Sequence, residues 1–291
     1  MSSLCHRRAN LRFGIIAPAL FCYLLPFLCV MAALSPLGLR ADGIDLPPRS
    51  KVADLVSAEQ LERQAALQYD QMRERAASQR ALAPEGHPKL VRLQNIAKRL
   101  LPHAARYNDR ASQWRWEVSL IGSQALNAFA MPGGKIAFYT GIIERLQLSD
   151  DEIAFIMGHE IAHALREHGR ERQSKAMIAQ GLTIGASILS QVMGYGDIGG
   201  QVARGVSNVT MLKFSRDDES EADLLGMDLS ARAGFDPRAG ISLWEKMSSA
   251  SNGQGTPPQW LSTHPSHESR IADIRKALPK VMPIYERTKP R

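Results

Sequence analysis

Cysteine is missing from residue 30 onward: the chain's three, Cys5, Cys22 and Cys29, all fall within its first 41 residues. No disulfide can staple the remainder, and no thiol there can act as nucleophile or metal ligand. Acid is missing from those same 41 residues, which carry Arg7, Arg8, Arg12 and Arg40 and neither Asp nor Glu. The formal net charge of +7 is therefore mostly a property of that segment, since the rest holds 32 basic and 29 acidic residues. Aromatics are scarce at 6%, and no basic patch interleaved with them stands beyond residue 41, so nucleic acid is not an expected partner. With 44% hydrophobic and 22% charged residues among 291, the chain is globular in composition and long enough for a sizeable core.

Long apolar runs are also few. The main one, residues 13–39, "FGIIAPALFCYLLPFLCVMAALSPLGL", follows the basic residues at 7, 8 and 12. This is the layout of an export signal, and the run is also long enough to cross a bilayer, which takes about 20 apolar residues. Pro18, Pro26 and Pro36 argue against a straight permanent anchor, and Leu39 stands where a signal cleavage site prefers a small residue. Leu28 before Cys29 leaves no lipobox. Residues 1–41 are expected to be a signal peptide or N-terminal membrane anchor, which would place the rest in the periplasm or cell envelope with membrane association through that segment.

Residues 42–56 read as an extended linker around Pro47 and Pro48. Residues 57–291 read as one domain. Helices are expected at 57–82, with Leu61, Ala65, Leu67 and Met72 as an apolar stripe, and at 87–101, where Leu90, Leu93, Ile96, Ala97 and Leu100 recur at three and four. The period then changes. Two short β-type runs, 115–121 and 135–141, are joined through "NAFAMPGG", whose Pro132-Gly133-Gly134 marks a turn and whose Asn127 reads as a turn residue. Beyond Gly141 the pattern is helical: one segment opened by Ser149 and Glu152, a capping-box pair, then 171–193, 199–213, 216–232, 237–250 and 266–278, the last stopping before Pro279. The apolar, Gly-rich stretch 181–200 is too short for a membrane span and reads as a buried helix and turn, or else as a flap over the site.

The chemistry concentrates in "GHEIAHALREH", residues 158–168. On a helix His159 and His163 project from one face, one turn apart, at a spacing that a single zinc accepts. Glu160 points about 100° round the helix, where it can reach a water on that metal without ligating. Zinc brings the pKa of such a water to about 7, and a carboxylate there can take its proton and hand it to a leaving amine. An H-E-x-x-H arises by chance in ~1% of chains of this composition. Here, however, the flanks are apolar (Ile153 to Met157, Ile161, Ala162, Ala164, Leu165), and two histidines with a glutamate are costly in a buried helix without a metal or other partners. His168 lies five past His163, off the ligand face, and reads as a surface or helix-end residue.

A catalytic zinc needs a third protein ligand. In "RDDESEADLLGMD", residues 216–228, helical spacing puts Glu219, Ala222, Asp223 and Gly226 on one face and Glu221 roughly opposite, with Asp217 and Asp218 as solvated capping acids. Small residues at 222 and 226 permit close approach of another helix, so that Glu219 can ligate and Asp223, one turn on, can hydrogen-bond a ligand histidine. The plain alternative is a solvated acidic face.

H-E-x-x-H followed some 55 residues later by E-x-E-A-D-x-x-G resembles the membrane-associated gluzincin zinc metallopeptidases, the family of the CAAX prenyl protease, HtpX, BepA and LoiP, and most closely its periplasmic members. "NAFAMPGGKIAFYTGII" resembles that family's strand and hairpin before the zinc helix, and "STHPSHESRI" its closing His-Pro motif. The resemblance implies an α+β, mostly helical, zincin-like domain with a small sheet. It implies one zinc held by His159, His163 and Glu219, Glu160 as general base, and Asp223 orienting a ligand. It further implies that Ala128, Phe129, Ala130 and Met131 form a strand edge to which an extended peptide adds; the bland reading of that stretch is a structural hairpin. His264 would stand near the metal, as an extra ligand that closes the site or as a transition-state stabiliser, with His267 the weaker candidate of the same loop. Arg270 would bind a carboxylate near the site or serve structure. The function expected is a zinc metalloendopeptidase of the bacterial envelope acting on misfolded or unassembled proteins. The alternative is a latent or non-catalytic zinc-containing binder of extended peptides.

Overall fold

A computed structural model describes residues 43–192, 214–252, 259–265 and 269–290. The chain divides between Ala41 and Asp42, and every described residue lies in the second unit. The expected helix at 199–213, the end of the 181–200 stretch, and His267 lie outside the described residues, as does the N-terminal segment.

Residues 44–50, within the expected 42–56 linker, carry no regular secondary structure, and a single 3-10 turn, Lys51–Leu55, follows and buries Ala53 completely. Helix α1, Ala58–Ser78, starts where the Ser57 side chain accepts from the Gln60 amide. Its buried line is Ala58, Ala65, Tyr69 and Ala76, whereas Leu67, assigned above to the apolar stripe, is 64% exposed. Tyr69 outranks it because its hydroxyl donates across to the Ile136 carbonyl at 2.8 Å, tying α1 to the sheet, and burial pushes its pKa up to about 12. Helix α2, Pro88–Leu100, buries Leu90, Leu93, Ile96, Ala97 and Leu100, the periodic set of the sequence.

The sheet has three strands, β1 Glu117–Ile121, β2 Ala128–Met131 and β3 Lys135–Tyr139, in the order β1-β3-β2. β1 and β3 are parallel, with Glu117 opposite Lys135; β2 and β3 are antiparallel, with Ala128 opposite Phe138. Gly133 and Gly134 turn the chain between β2 and β3 at φ of 81° and 82°, a region in which only glycine is unstrained. Among the described residues β2 pairs only with β3 and is thus an outer strand, and it packs on α4.

After the short helix α3, Thr140–Arg145, helix α4, Asp150–Leu165, opens on a full capping box: Ser149 accepts from the Glu152 amide and Glu152 from the Ser149 amide. Nearly every later α4 residue is buried, so this helix is the centre of the core. Arg166 caps it, and Glu167, at φ 59°, turns the chain into α5, His168–Val192. That left-handed geometry is unfavourable for a side-chain-bearing residue, and ion pairs from Glu167 to Arg170 (2.9 Å) and Arg49 (2.8 Å) hold it. Helix α6, Arg216–Arg232, has its own capping box, Ser215 with Asp218, and packs along α4. Helices α7, Ala239–Asn252, α8, Gln259–Thr263, and α9, Ser269–Thr288, complete the described part.

Contrary to expectation α9 does not stop at Pro279 but runs through it and Pro283. Ile274, Ala277, Val281 and Ile284 continue a three-and-four burial rhythm across the proline, and α9 packs on α6 and α7; tertiary packing outweighs the missing backbone bonds. Among the described residues no helix is long and apolar enough to cross a membrane.

Candidate metal centre

Helices α4 and α6 touch backbone to backbone. A Cβ on Gly226 would stand 2.7 Å from the His159 nitrogen, and one on Gly158 would stand 2.8 Å from the Gly226 carbonyl oxygen. Ala222, one turn before Gly226, is fully buried in the same seam. This approach carries Glu219 to the two histidines of α4. His159 Nε2 and His163 Nε2 lie 3.1 Å apart, Glu219 Oε2 is 3.6 Å from the first, and Glu219 Oε1 is 3.5 Å from the second.

Three donors bound tetrahedrally to one zinc at 2.0–2.1 Å would stand about 3.4 Å from one another. The observed spacings, with a different Glu219 oxygen facing each histidine, are close to that requirement. The chemistry of the donors fits as well. Burial, with neighbouring positive groups, pushes the His163 imidazole well below its ordinary range, which leaves it neutral and able to ligate. Burial would raise the Glu219 carboxyl, but the His264 contact, His159 and Arg270 hold it below the ordinary carboxylate range.

His264 completes the cluster. Its Nδ1 is 3.3 Å from His159 Nε2 and 2.9 Å from Glu219 Oε1, and it joins the other three in a buried group whose donor atoms all lie within 4.8 Å of one another. His264 thus adds a fourth possible donor beside the other three. Its ring is stacked between Trp260 (4.9 Å, 28°) and Phe214 (5.1 Å, 30°). Its far nitrogen, Nε2, points to Glu160 Oε1 at 3.5 Å, and the Trp260 indole donates to that same oxygen at 2.7 Å. Glu160 is 2% exposed, so the carboxylate lies under a cover made by Trp260 and His264.

Asp223, one turn beyond Glu219, places Oδ1 3.0 Å from His159 Nδ1, the nitrogen facing away from the cluster. Burial would raise its carboxyl, but Arg270 and His159 hold it at about 2. Arg270, expected to bind a carboxylate near the site or to serve structure, binds carboxylates of the protein itself and not of a substrate. Its guanidinium is spent within the protein: Nε and Nη2 bond Asp223 at 2.6 and 2.7 Å, Nη1 bonds Glu219 at 2.5 Å, and the group lies 3.7 Å over the Trp244 ring. At 1% exposure it has no face for a substrate. It serves the site by neutralising two carboxylates that could not otherwise stay ionised in a dry core.

His168 corrects one expectation. It begins a helix, but instead of lying on the surface it is 2% exposed, with Nδ1 2.9 Å from His163 Nδ1 and Nε2 3.0 Å from Glu221. Sequence reasoning on a continuous helix put it off the ligand face; the left-handed Glu167 breaks the helix and returns it. Trp260 and Phe214 were not singled out in the sequence at all. The one local clue to Trp260 is its position four before His264, which its carbonyl meets through the His264 amide at 2.9 Å.

The strand residues lie alongside. Ala128 is 1% exposed, while Phe129, Ala130 and Met131 are half-buried. A cleft lined by Leu61, Trp114, Ala130, Met131 and Pro132 runs from the end of β2 to His163.

The chain is similar to known peptidases. It is 31% identical over 226 residues to the mitochondrial metalloendopeptidase OMA1 of Saccharomyces cerevisiae, covering 72% of this chain and 62% of that protein. It is 30% identical over 184 residues to human metalloendopeptidase OMA1, covering 60% of this chain and 34% of that one. To the beta-barrel assembly-enhancing protease of Escherichia coli it is 28% identical over 199 residues, covering 66% and 39%. The chain thus spans less than two thirds of the length of each of these relatives. The model of peptidase family M48 matches residues 89–278, a stretch that takes in the sheet, both helices of the candidate centre and the His264 loop. With that match over well more than half its length, and a ligand triangle that fits zinc, the chain belongs to the zinc metallopeptidases of peptidase family M48.

Proposed function

We propose that this chain is a zinc metalloendopeptidase of the bacterial cell envelope that cuts misfolded or unassembled proteins. The observation that carries the reading is the triangle of His159, His163 and Glu219 with the Glu160 carboxylate beside it. Zinc held there would polarise the scissile carbonyl and acidify the attacking water. Glu160 then takes the proton of that water and returns it to the departing amine, the role its buried, singly bonded position suits. The outer strand β2 accepts an extended segment as a fourth strand, and the apolar cleft beside Met131 and Trp114 holds one of its side chains. A substrate bound through its backbone must offer an unfolded stretch, which selects misfolded or unassembled chains. The relatives' names, an assembly-enhancing protease among them, support such a role, and the export-like N terminus supports the envelope as its place.

One observation favours a second reading. His264 stands within donor distance of His159 and Glu219 and covers Glu160, so a zinc bound here could take it as a fourth ligand in place of water. A chain fixed in that state would hold peptides without cutting them. Casein cleavage by zinc-loaded protein separates the two. The peptidase reading expects cleavage that falls by about 10²-fold or more in Glu160→Gln, the usual worth of a general base, with zinc retained. Loaded parental protein that is silent, together with a His264→Ala variant that cuts, identifies a latent enzyme. Silence in both identifies a binder.

A further inference from the structure

The two histidines that face the metal position are backed differently, and only one backing was foreseen. His159 presents Nδ1 to the Asp223 carboxylate at 3.0 Å. His163 presents Nδ1 to another imidazole, His168, at 2.9 Å, and His168 passes on through Nε2 to Glu221 at 3.0 Å. Arg166 pairs with the other oxygen of Glu221 at 2.5 Å and also donates to the Pro47 carbonyl at 2.7 Å, which fastens the end of the chain of contacts.

We infer that His168 and Glu221 are positioning residues that set the tautomer and ring angle of His163 for zinc. The inference rests on the zinc-ligand reading above. A neutral histidine that ligates through Nε2 carries its proton on Nδ1. That N–H needs an acceptor, and His168 Nδ1 is the atom 2.9 Å away. His168 must then hold its own proton on Nε2, where Glu221 accepts it. One arrangement of protons satisfies all four nitrogens, and it is the one that leaves His163 Nε2 bare toward the metal. The reverse arrangement would turn a bare His168 Nε2 toward the Glu221 carboxylate, two acceptors facing each other, and put a proton on the ligand atom.

The geometry also explains why an imidazole intervenes. Glu221 and Asp223 are two residues apart on α6, so their side chains leave the helix on different sides. Asp223 shares the Glu219 face and reaches His159 directly. Glu221 does not, and the left-handed turn at Glu167 inserts His168 into the gap. Phe214, stacked on the His163 ring at 3.9 Å and 27°, closes the remaining face.

The test is zinc affinity of the purified protein, measured by competition with a chromophoric chelator, with urea midpoints of the metal-free proteins alongside. His168→Leu should weaken zinc binding about 10- to 100-fold, the usual effect of removing a partner of a ligand histidine. His168→Gln, whose amide can accept from His163 and donate to Glu221, should recover most of that loss, a rescue that mere space-filling would not give. Glu221→Met, at a partly exposed position, tests the far end should His168→Leu not fold, with about a tenfold loss expected. Parental affinity in the folded variants overturns the relay while leaving the metal reading intact, and so does a Gln variant as weak as Leu at an unchanged urea midpoint. Parental protein that binds no zinc overturns both.

Discussion

Gly226→Ala is the smallest change that should open the metal site. The added methyl would meet the His159 backbone nitrogen at 2.7 Å and the Gly158 carbonyl carbon at 3.0 Å, where ordinary contact begins at 3.4 Å. Neither neighbour is a flexible side-chain end; both are helix backbone. The helices must therefore separate by about 0.7 Å, the difference between 3.4 and 2.7 Å, or α6 must rotate. Functional groups need placing to within about 0.5 Å, so this displacement is enough to spoil the triangle formed by Glu219 with His159 and His163. Overpacking of this kind costs about 1–3 kcal/mol, of which alanine's better helix propensity returns about 1.

The net stability change in urea is thus small, whereas zinc affinity falls at least tenfold. That dissociation of the two readouts is the prediction. Chelator competition and urea unfolding of the metal-free protein measure them on the same preparation. Parental zinc affinity in Gly226→Ala would show that the seam between α4 and α6 does not set the ligand geometry. A fall in the urea midpoint with parental zinc affinity would show that it sets only stability.

Two further perturbations test the electrostatics. Removing Arg270 leaves Glu219 and Asp223 buried without their cation, so Arg270→Met should lower the metal-free unfolding free energy by about 3–5 kcal/mol. Arg270→Lys should not restore it, because an ammonium cannot supply the fork that meets both carboxylates; a parental urea midpoint in the lysine variant would refute this. At the start of α4, burial would raise the Glu152 carboxyl, but Lys246, the Ser149 amide and Ser242 together hold it below the ordinary range. A carboxylate depressed in the folded state contributes stability above its unfolded pKa of about 4.3 and loses it as pH falls through the folded value. The stability gap between parental protein and Lys246→Met should therefore be constant above about pH 5 and shrink below about pH 4. A gap that widens on acidification would contradict it.

What could be read from the sequence follows the range of the forces involved. Caps and helix faces are local, and they appear as expected: Ser149 with Glu152 at the head of α4, the buried face of α2, α6 spanning residues 216–232, and the Gly133-Gly134 turn. The pairing of Glu219 with Asp223 was legible for the same reason, since four residues on a helix decide which acids share a face. Failures begin where a distant partner decides. Leu67 satisfies a helical stripe but loses its place to Tyr69, whose partner Ile136 is far along the chain. Pro279 is a strong local stop, overruled by Val281 and Ile284 burying against α6 and α7.

The cover of the site is the clearest case. His264 stands where it does because α8 is pinned from both sides: the Trp260 amide donates to the Leu126 carbonyl at 3.0 Å, just ahead of β2, and the Trp260 indole reaches Glu160. Both contacts join residues a hundred or more positions apart in sequence, and neither leaves a periodic trace. They also tie the cover to the strand expected to take substrate. The contacts that hide Glu160 thus run to the residue just ahead of β2.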